Sequence, residues 1–212
     1  MTDWIEQTAE FVRRRLEGAE GGHDWYHTRR VWRMARQLAL SEGADTIVVE
    51  LAALLHDVAD HKFHGGDEEL GPQIAADWLA GLGADAATAT HVTQIVRHIS
   101  FKGGGTSPFR SLEFDVTQDA DRLDAIGAIG IARAFNYGGF RNRPMYDPAV
   151  APQVYADKES YKNSAAPTIN HFYEKLLLLK DRMNTPSGRA EAESRHAFME
   201  AFLTQFYREW GD

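Results

Sequence analysis

The feature that most constrains the fold is an apolar run that ends in a cluster of histidines and carboxylates. Residues 47–55 read Ile-Val-Val-Glu-Leu-Ala-Ala-Leu-Leu, which is apolar around nearly the whole circumference of a helix and predicts a buried helix. Residues 56–64 then place three imidazoles and two carboxylates at the end of that helix. Because burying so many polar groups is costly unless something binds them, the pattern indicates a ligand, and a divalent metal ion is the simplest one.

Helical spacing of apolar residues recurs along the rest of the chain. No run alternates between apolar and polar residues with enrichment in β-branched side chains, so no strand is predicted. We therefore expect an all-α protein, and its 212 residues fit a single domain, a helical bundle spanning 1–212. The predicted helices lie near 3–18, 24–42, 45–64, 74–82, 85–96, 112–135, 168–183 and 187–210. Asp45 is the expected N-cap of the third helix, and the sixth either continues or kinks near residue 125. The segments 102–109 and 136–163 are predicted loops, and the longer one is a candidate lid.

Composition limits the partners that the chain can have. A net charge of −8 without any Lys/Arg run argues against binding to nucleic acid, although single Arg and Lys residues could hold a small phosphorylated ligand. The absence of cysteine excludes disulfides and thiolate zinc sites, and leaves histidine and carboxylate as metal ligands. No apolar run reaches the length of a membrane span, and the first residues do not resemble a signal peptide. We expect a cytoplasmic protein without membrane association; the oligomeric state stays open, with a homodimer as one possibility.

Four residues on different predicted helices form a candidate metal site: His27, His56, Asp57 and Asp121. Two imidazoles and two carboxylates suit a borderline-to-hard divalent ion such as Mn, Fe, Mg or Zn. The side chains of adjacent helical residues point roughly 100° apart, so His56 and Asp57 can share one ion only if the ion lies between them. A His-Asp pair by itself is a weak signal, so the argument depends on the motifs that accompany it.

Those motifs occur in a fixed order along the chain. A His-Asp-x-x-His segment begins at residue 23, His-Asp follows at residue 56, and Asp-Ala-Asp-Arg-Leu-Asp begins at residue 119. The set resembles the HD-domain metal-dependent phosphohydrolase superfamily, whose signature is a His, a His-Asp pair and a later Asp. The segments 59–63, 100–102, 121–130 and 168–175 are similar to one branch of it, the small bacterial HD hydrolases that cleave nucleoside triphosphates to monophosphate and pyrophosphate. The resemblance covers nearly the whole chain.

The resemblance implies a role for each residue of the predicted site. It places the metal ion on His27, His56, Asp57 and Asp121. Asp121 is preferred to Asp119 because the family ligand directly precedes a basic residue. Asp60 takes the position of a catalytic carboxylate that helps to orient or deprotonate the attacking metal-bound water. Since Asp60 lies three residues after Asp57, a helix would place both on one face. Mn or Mg is the favoured ion for activity.

The substrate implied by the resemblance is a nucleotide, and several side chains are placed to contact it. Four cations could neutralise phosphate oxygens, two aromatic rings could stack on a base, and one histidine could contact the substrate or support the metal ligands. Each of these residues is also compatible with an ordinary position at the surface or the rim of the core. The four cations are Arg30, Lys62, Lys102 and Arg122, the two aromatic residues are Phe63 and Phe101, and the histidine is His23.

Two other functions remain open at this stage. A 5′-nucleotidase or another phosphomonoesterase could use the same fold and metal ligands, and would release orthophosphate in place of pyrophosphate. A non-catalytic module that binds a metal ion or a nucleotide would show binding without turnover. The product of the reaction is therefore the observation that separates the three functions.

Overall fold

The computed structural model describes residues 3–18, 24–59, 69–99, 108–153 and 166–211, and every regular element in these ranges is a helix. The prediction of an all-α fold is confirmed for this part of the chain. None of its helices is long and apolar enough to cross a membrane. The elements are α1 (Asp3–Arg15), α2 (Trp25–Glu42), α3 (Thr46–Leu55), α4 (Leu70–Gly81), α5 (Ala86–Ile99), α6 (Leu112–Asp124), α7 (Gly127–Phe140), α8 (Asn170–Glu174), a 3₁₀ helix (Leu176–Arg182) and α9 (Pro186–Trp210).

The chain divides into two compact units, residues 1–121 and residues 122–212. In the first unit α3 is the central helix, because α1, α2 and α5 all pack against it while α4 packs on α5. Seven of its ten residues are buried, which confirms the buried helix expected from the apolar run. Asp45 caps it as predicted, because its carboxylate accepts hydrogen bonds from the backbone N–H groups of Ile47 and Val48.

The end of α3 differs from the prediction. The helix stops at Leu55, and residues 56–59 form a turn, so the polar cluster does not continue the helix. The imidazole Nδ1 of His56 lies 2.8 Å from the carbonyl oxygen of Ala53, the acceptor that the Asp57 N–H would use in a continuing helix. Val58 N–H bonds instead to the carbonyl of Leu55. The helix that was expected to carry Asp57 and Asp60 on one face therefore ends before both of them. Asp60 itself lies outside the described residues, so its role stays a prediction.

The second unit begins within the last turn of α6. In its first full helix, α7, two glycines allow other atoms to lie unusually close to the backbone. Of the two possibilities for 112–135, a continuous helix or a kink near residue 125, the structure has a break: α6 ends at Asp124, and α7 begins at Gly127 with a positive φ of 74°. A methyl group on Gly130 would lie 2.2 Å from the carbonyl oxygen of Ala125, so the break leaves room for nothing larger than glycine there.

The predicted loop 136–163 begins too early, because α7 continues to Phe140. The glycines that suggested a loop have a packing role within the helix. A methyl group on Gly138 would lie 2.1 Å from the hydroxyl oxygen of Thr168, so this glycine permits close contact with the segment before α8. Residues 141–153 are irregular as predicted.

The predicted helix 168–183 is in fact two short helices. Lys175 leaves the helical region at φ −146°, which ends α8, and a 3₁₀ helix follows. In a 3₁₀ helix side chains three apart eclipse one another, and this spacing directs both Leu176 and Leu179 into the buried interior. The final helix agrees with its prediction, since Thr185 caps α9 through the N–H of Gly188.

One partly buried titratable group of the second unit has an unusual pKa. Burial of His171 in α8, followed by the charges of Lys175 and Arg143, lowers its pKa to about 3. The imidazole is therefore neutral at every pH at which the protein is expected to work.

Candidate metal centre

His27 lies in the first turn of α2, and the start of that helix fixes its position. Asp24 is the N-cap residue, and its carboxylate accepts a hydrogen bond of 2.8 Å from the backbone N–H of His27. The side chain of His27 points into the protein and is only 1% exposed. Asp24 thus orients the helix end that carries the imidazole. The sequence reasoning had not assigned this role to Asp24, although an Asp three residues before a helical N–H is a recognisable cap signal.

His56 and Asp57 lie in the turn that follows α3. The Nδ1 atom of His56 is 2.8 Å from the carbonyl oxygen of Ala53. Because a carbonyl can only accept, Nδ1 carries the hydrogen and Nε2 is the atom available to a metal ion in the neutral imidazole. This Nε2 lies 3.3 Å from Nε2 of His27. The two imidazoles thus present the same type of nitrogen to one point.

Two carboxylates complete the group. Oδ2 of Asp57 is 3.4 Å from Nε2 of His56 and 3.5 Å from Nε2 of His27. Oδ1 of Asp121, in the last turn of α6, is 3.5 Å from Nε2 of His27 and 3.9 Å from Nε2 of His56. The histidine side chains are almost fully buried, whereas the side chain of Asp121 is 39% exposed. A ligand would therefore reach the group from the side of Asp121.

The spacing of these atoms fits a shared ion. Ligand bonds of about 2.0–2.2 Å at tetrahedral or octahedral angles place neighbouring donor atoms about 3.0–3.5 Å apart. The donor separations here lie at or slightly above that range, and the donor atoms of His27, His56 and Asp57 all lie within 4.8 Å of one another. Without an ion, two carboxylates beside two nearly buried imidazoles would form a costly polar group. The residues present fit a divalent cation.

The electrostatics of the group favour positive charge. Burial alone would lower the pKa of His56, but the charge of Asp57 and its hydrogen bond, the charge of Asp121 and the Ala53 carbonyl together raise it to about 9. In the metal-free protein His56 therefore keeps its second proton at neutral pH. An ion that binds Nε2 takes the place of that proton.

The other predicted site residues have different positions. Arg30 lies on α2 one turn after His27 and is partly exposed. Arg122 directly follows Asp121, and its guanidinium donates a hydrogen bond to the backbone carbonyl of Arg182. The remaining predicted residues lie outside the described parts of the chain; they are His23, Asp60, Lys62, Phe63, Phe101 and Lys102.

Comparison with known proteins identifies the family. A family model described as HD domain matches residues 24–126, a range that contains all four residues of the group. The crystal structure of an HD-superfamily hydrolase from Bacillus thuringiensis is 45% identical, with 99% of this chain and 97% of that chain covered and a TM-score of 0.80. The chain belongs to the HD family.

A second relative is also similar over nearly the whole chain. The Bacillus subtilis protein YpgQ is 38% identical over 207 residues, which is 96% of this chain and 92% of YpgQ. A crystal structure of YpgQ in complex with ADP superposes with a TM-score of 0.77 at 34% identity and covers 97% of both chains. HD domains bind divalent metal ions, in agreement with the donor group of this chain.

Proposed function

We propose that this HD-family protein is a metal-dependent phosphohydrolase that cleaves nucleoside triphosphates between the α and β phosphorus, releasing monophosphate and pyrophosphate. The observation that carries the proposal is the convergence of His27, His56 and Asp57 on one point with the spacing of metal ligands, with Oδ1 of Asp121 3.5 Å from Nε2 of His27. A divalent ion held there would polarise a phosphoryl oxygen and lower the pKa of water. The favoured ion is Mn or Mg, because carboxylate oxygens make up half of the donor set.

Each residue of the site has a separate role in the proposed reaction. The Nε2 atoms of His27 and His56, both on nearly buried side chains, would hold the ion. Asp57 and Asp121 supply the negative charge that matches it. Because Asp121 is the exposed member, the triphosphate approaches beside it. Asp60, three residues after Asp57, is proposed as the base that accepts the proton of the attacking water.

The choice of a nucleotide as substrate has independent support. YpgQ, which is similar over 97% of its length, was crystallised with ADP. Two basic residues, Arg30 and Arg122, occur one helical turn or less from predicted ligands and would neutralise phosphate oxygens. The net charge of −8 makes a small, locally neutralised anion a better substrate than a polyanionic nucleic acid.

The product of the reaction tests the proposal. Metal-stripped protein is incubated with nucleoside mono- and triphosphates and with Mn²⁺, Mg²⁺ or Zn²⁺, and the phosphate products are identified. Pyrophosphate with an equal amount of monophosphate is the expected result. Orthophosphate from monophosphates would replace the proposal by a 5′-nucleotidase, and tight metal or nucleotide binding without turnover would replace it by a binding module.

A ligand variant makes the same experiment specific to the metal centre. Asp57→Ala removes the carboxylate that touches both imidazoles, so Mn²⁺ binding and turnover should both be lost. Asp77→Ala is the matched control, because that carboxylate lies on the surface of α4 and accepts a hydrogen bond from Gln73. Wild-type Mn²⁺ occupancy and turnover in Asp57→Ala would refute the ligand assignment.

A further inference from the structure

The turn that carries His56 and Asp57 is tied to the N-terminal helix by one side chain. Arg15, the last residue of α1, donates its Nε–H to the carbonyl oxygen of Val58 at 3.1 Å, across 43 positions of sequence. Val58 directly follows the metal-ligand candidate Asp57. The two segments also share apolar packing, because Val12 of α1 and Val58 belong to the same buried cluster.

Arg15 differs from its two neighbours in α1. Arg13 and Arg14 form ion pairs with Glu10 at 2.8 Å and 2.6 Å, on the exposed surface of the same helix. Exposed pairs of this kind contribute little to stability. Arg15 instead reaches a backbone group of a distant segment. Three consecutive arginines therefore include one with a specific tertiary partner.

The remaining bonds of the turn explain why this contact matters. His56 bonds through Nδ1 to the Ala53 carbonyl, and the Val58 N–H bonds to the Leu55 carbonyl, so both bonds anchor the turn to the end of α3. The contact from Arg15 holds the opposite, outgoing side of the turn. The orientation of a carboxylate ligand in a short turn depends on the backbone before and after it. Contacts that hold this backbone therefore affect the affinity for a metal ion.

We infer that Arg15 is a positioning residue of the metal centre: it fixes the carbonyl of Val58, the residue after Asp57, and thereby directs the Asp57 carboxylate toward His27 and His56. The inference rests on the proposed metal-dependent function. Arg15 touches neither the ion nor the substrate, so it acts through Asp57 alone. The N-terminal helix is then part of the metal-binding apparatus, although the HD-family match begins only at residue 24.

The experiment compares three variants of the full-length protein. Arg15→Met removes the donor and keeps most of the apolar stem, Arg15→Lys keeps a donor, and Arg14→Met removes a neighbouring charge from the same end of α1. Metal-stripped protein is titrated with Mn²⁺ by calorimetry. The Kd of Arg15→Met should rise by roughly tenfold, as is typical when a group that supports a metal ligand is removed. Arg14→Met should match wild type, and Arg15→Lys should recover most of the affinity.

Two further measurements separate positioning from stability. Co²⁺ replaces Mn²⁺, and its visible spectrum, which reports the arrangement of the ligands, should change in Arg15→Met but not in Arg14→Met. Thermal unfolding by circular dichroism shows whether each metal-free variant is folded at the temperature of the titration. A lower Tm of Arg15→Met with an unchanged Mn²⁺ Kd would overturn the inference, since the bond would then be structural only.

The possible failures are distinguishable. If Arg15→Met and wild type bind Mn²⁺ equally while Asp57→Ala does not bind it, the role of Arg15 is refuted and the metal-dependent function stands. If wild-type protein binds neither Mn²⁺ nor Co²⁺, the proposed function fails, and the role of Arg15 fails with it.

Discussion

Binding of a metal ion should release one proton from His56, and the affinity should therefore depend steeply on pH. In the metal-free protein the carboxylates of Asp57 and Asp121 hold the pKa of His56 at about 9, although burial opposes this. The Nδ1 hydrogen is committed to the Ala53 carbonyl, so the proton that leaves is the one on Nε2. A proton and a metal ion thus compete for the same lone pair.

The size of the effect follows from the pKa of about 9. At pH 7 only about 1% of the metal-free protein has a neutral His56, so the apparent affinity is about 100-fold below its limit at high pH. This corresponds to about 2.7 kcal/mol, since each pKa unit is worth about 1.4 kcal/mol. Between about pH 6 and pH 8 the apparent Kd should fall by about tenfold per pH unit, or about 100-fold in all.

Calorimetry with Mn²⁺ measures both quantities. Titrations at one pH in buffers of different ionisation enthalpy give the number of protons released, which should be close to one near pH 7. Titrations across the pH range give the slope of the Kd. Imidazole NMR of the metal-free protein follows the titration of His56 directly and should show its protonated form at neutral pH. A Kd that is constant across this range, with no proton released, would refute the reasoning.

Three more predictions concern single residues. Asp60→Asn should retain Mn²⁺ but lower turnover by roughly 10²–10⁴, as expected for a lost base, and an unchanged rate would exclude that role. Gly130→Ala should lower the free energy of unfolding by roughly 3 kcal/mol or more, because its methyl group would lie 2.2 Å from the Ala125 carbonyl oxygen. Gly139→Ala, with open space at the same helix, should stabilise by up to about 1 kcal/mol, and equal denaturant midpoints for the two variants would contradict this contrast. His171 has its pKa lowered from 6.5 to about 3, so the unfolded chain binds its proton first and stability falls as the pH drops below 6.5. Between about pH 7 and pH 5 the free energy of unfolding of His171→Gln should therefore fall by about 2 kcal/mol less than that of wild type. Parallel pH profiles of the two proteins would refute the low pKa of His171.

The parts of the fold that the sequence predicted well are those that depend on nearby residues. The apolar run of α3 and its Asp45 cap lie within a few positions of each other, and both are found as expected. The same holds for α9, which begins at Pro186 after the Thr185 cap and ends before Gly211, a residue with a φ of 98°. Caps and apolar runs act between residues that are close in sequence, so they can be recognised without knowing the tertiary structure.

The errors arose where tertiary contacts outweigh local preference. Gly138 suggested a loop, but the nearby Thr168 hydroxyl explains a glycine inside α7. Lys175 gives no sequence signal for the end of α8, and the change to 3₁₀ spacing depends on where Leu176 and Leu179 are buried. Neither the neighbour of a glycine nor the burial of a leucine can be known from residues close in sequence.

The site was predictable as a set of residues but not as a geometry. His27 and His56 are separated by 29 positions, and no helical period relates them. Their grouping with Asp57 and Asp121 came from the order of motifs in a known superfamily. The supporting contacts, such as the Ala53 carbonyl that fixes the His56 tautomer, involve backbone atoms and have no sequence signature.

The position of the candidate metal centre follows from the burial of α3. This helix is apolar on nearly all sides, and the one carboxylate at its middle, Glu50, accepts a hydrogen bond from the Trp32 indole. The candidate ligands His56 and Asp57 therefore come after its last turn. The partner helices obey the same restriction, because His27 lies in the first turn of α2 and Asp121 in the last turn of α6. Each donor thus depends on how a helix begins or ends. The contacts that fix those ends should therefore control metal affinity more strongly than packing in the middle of the helices.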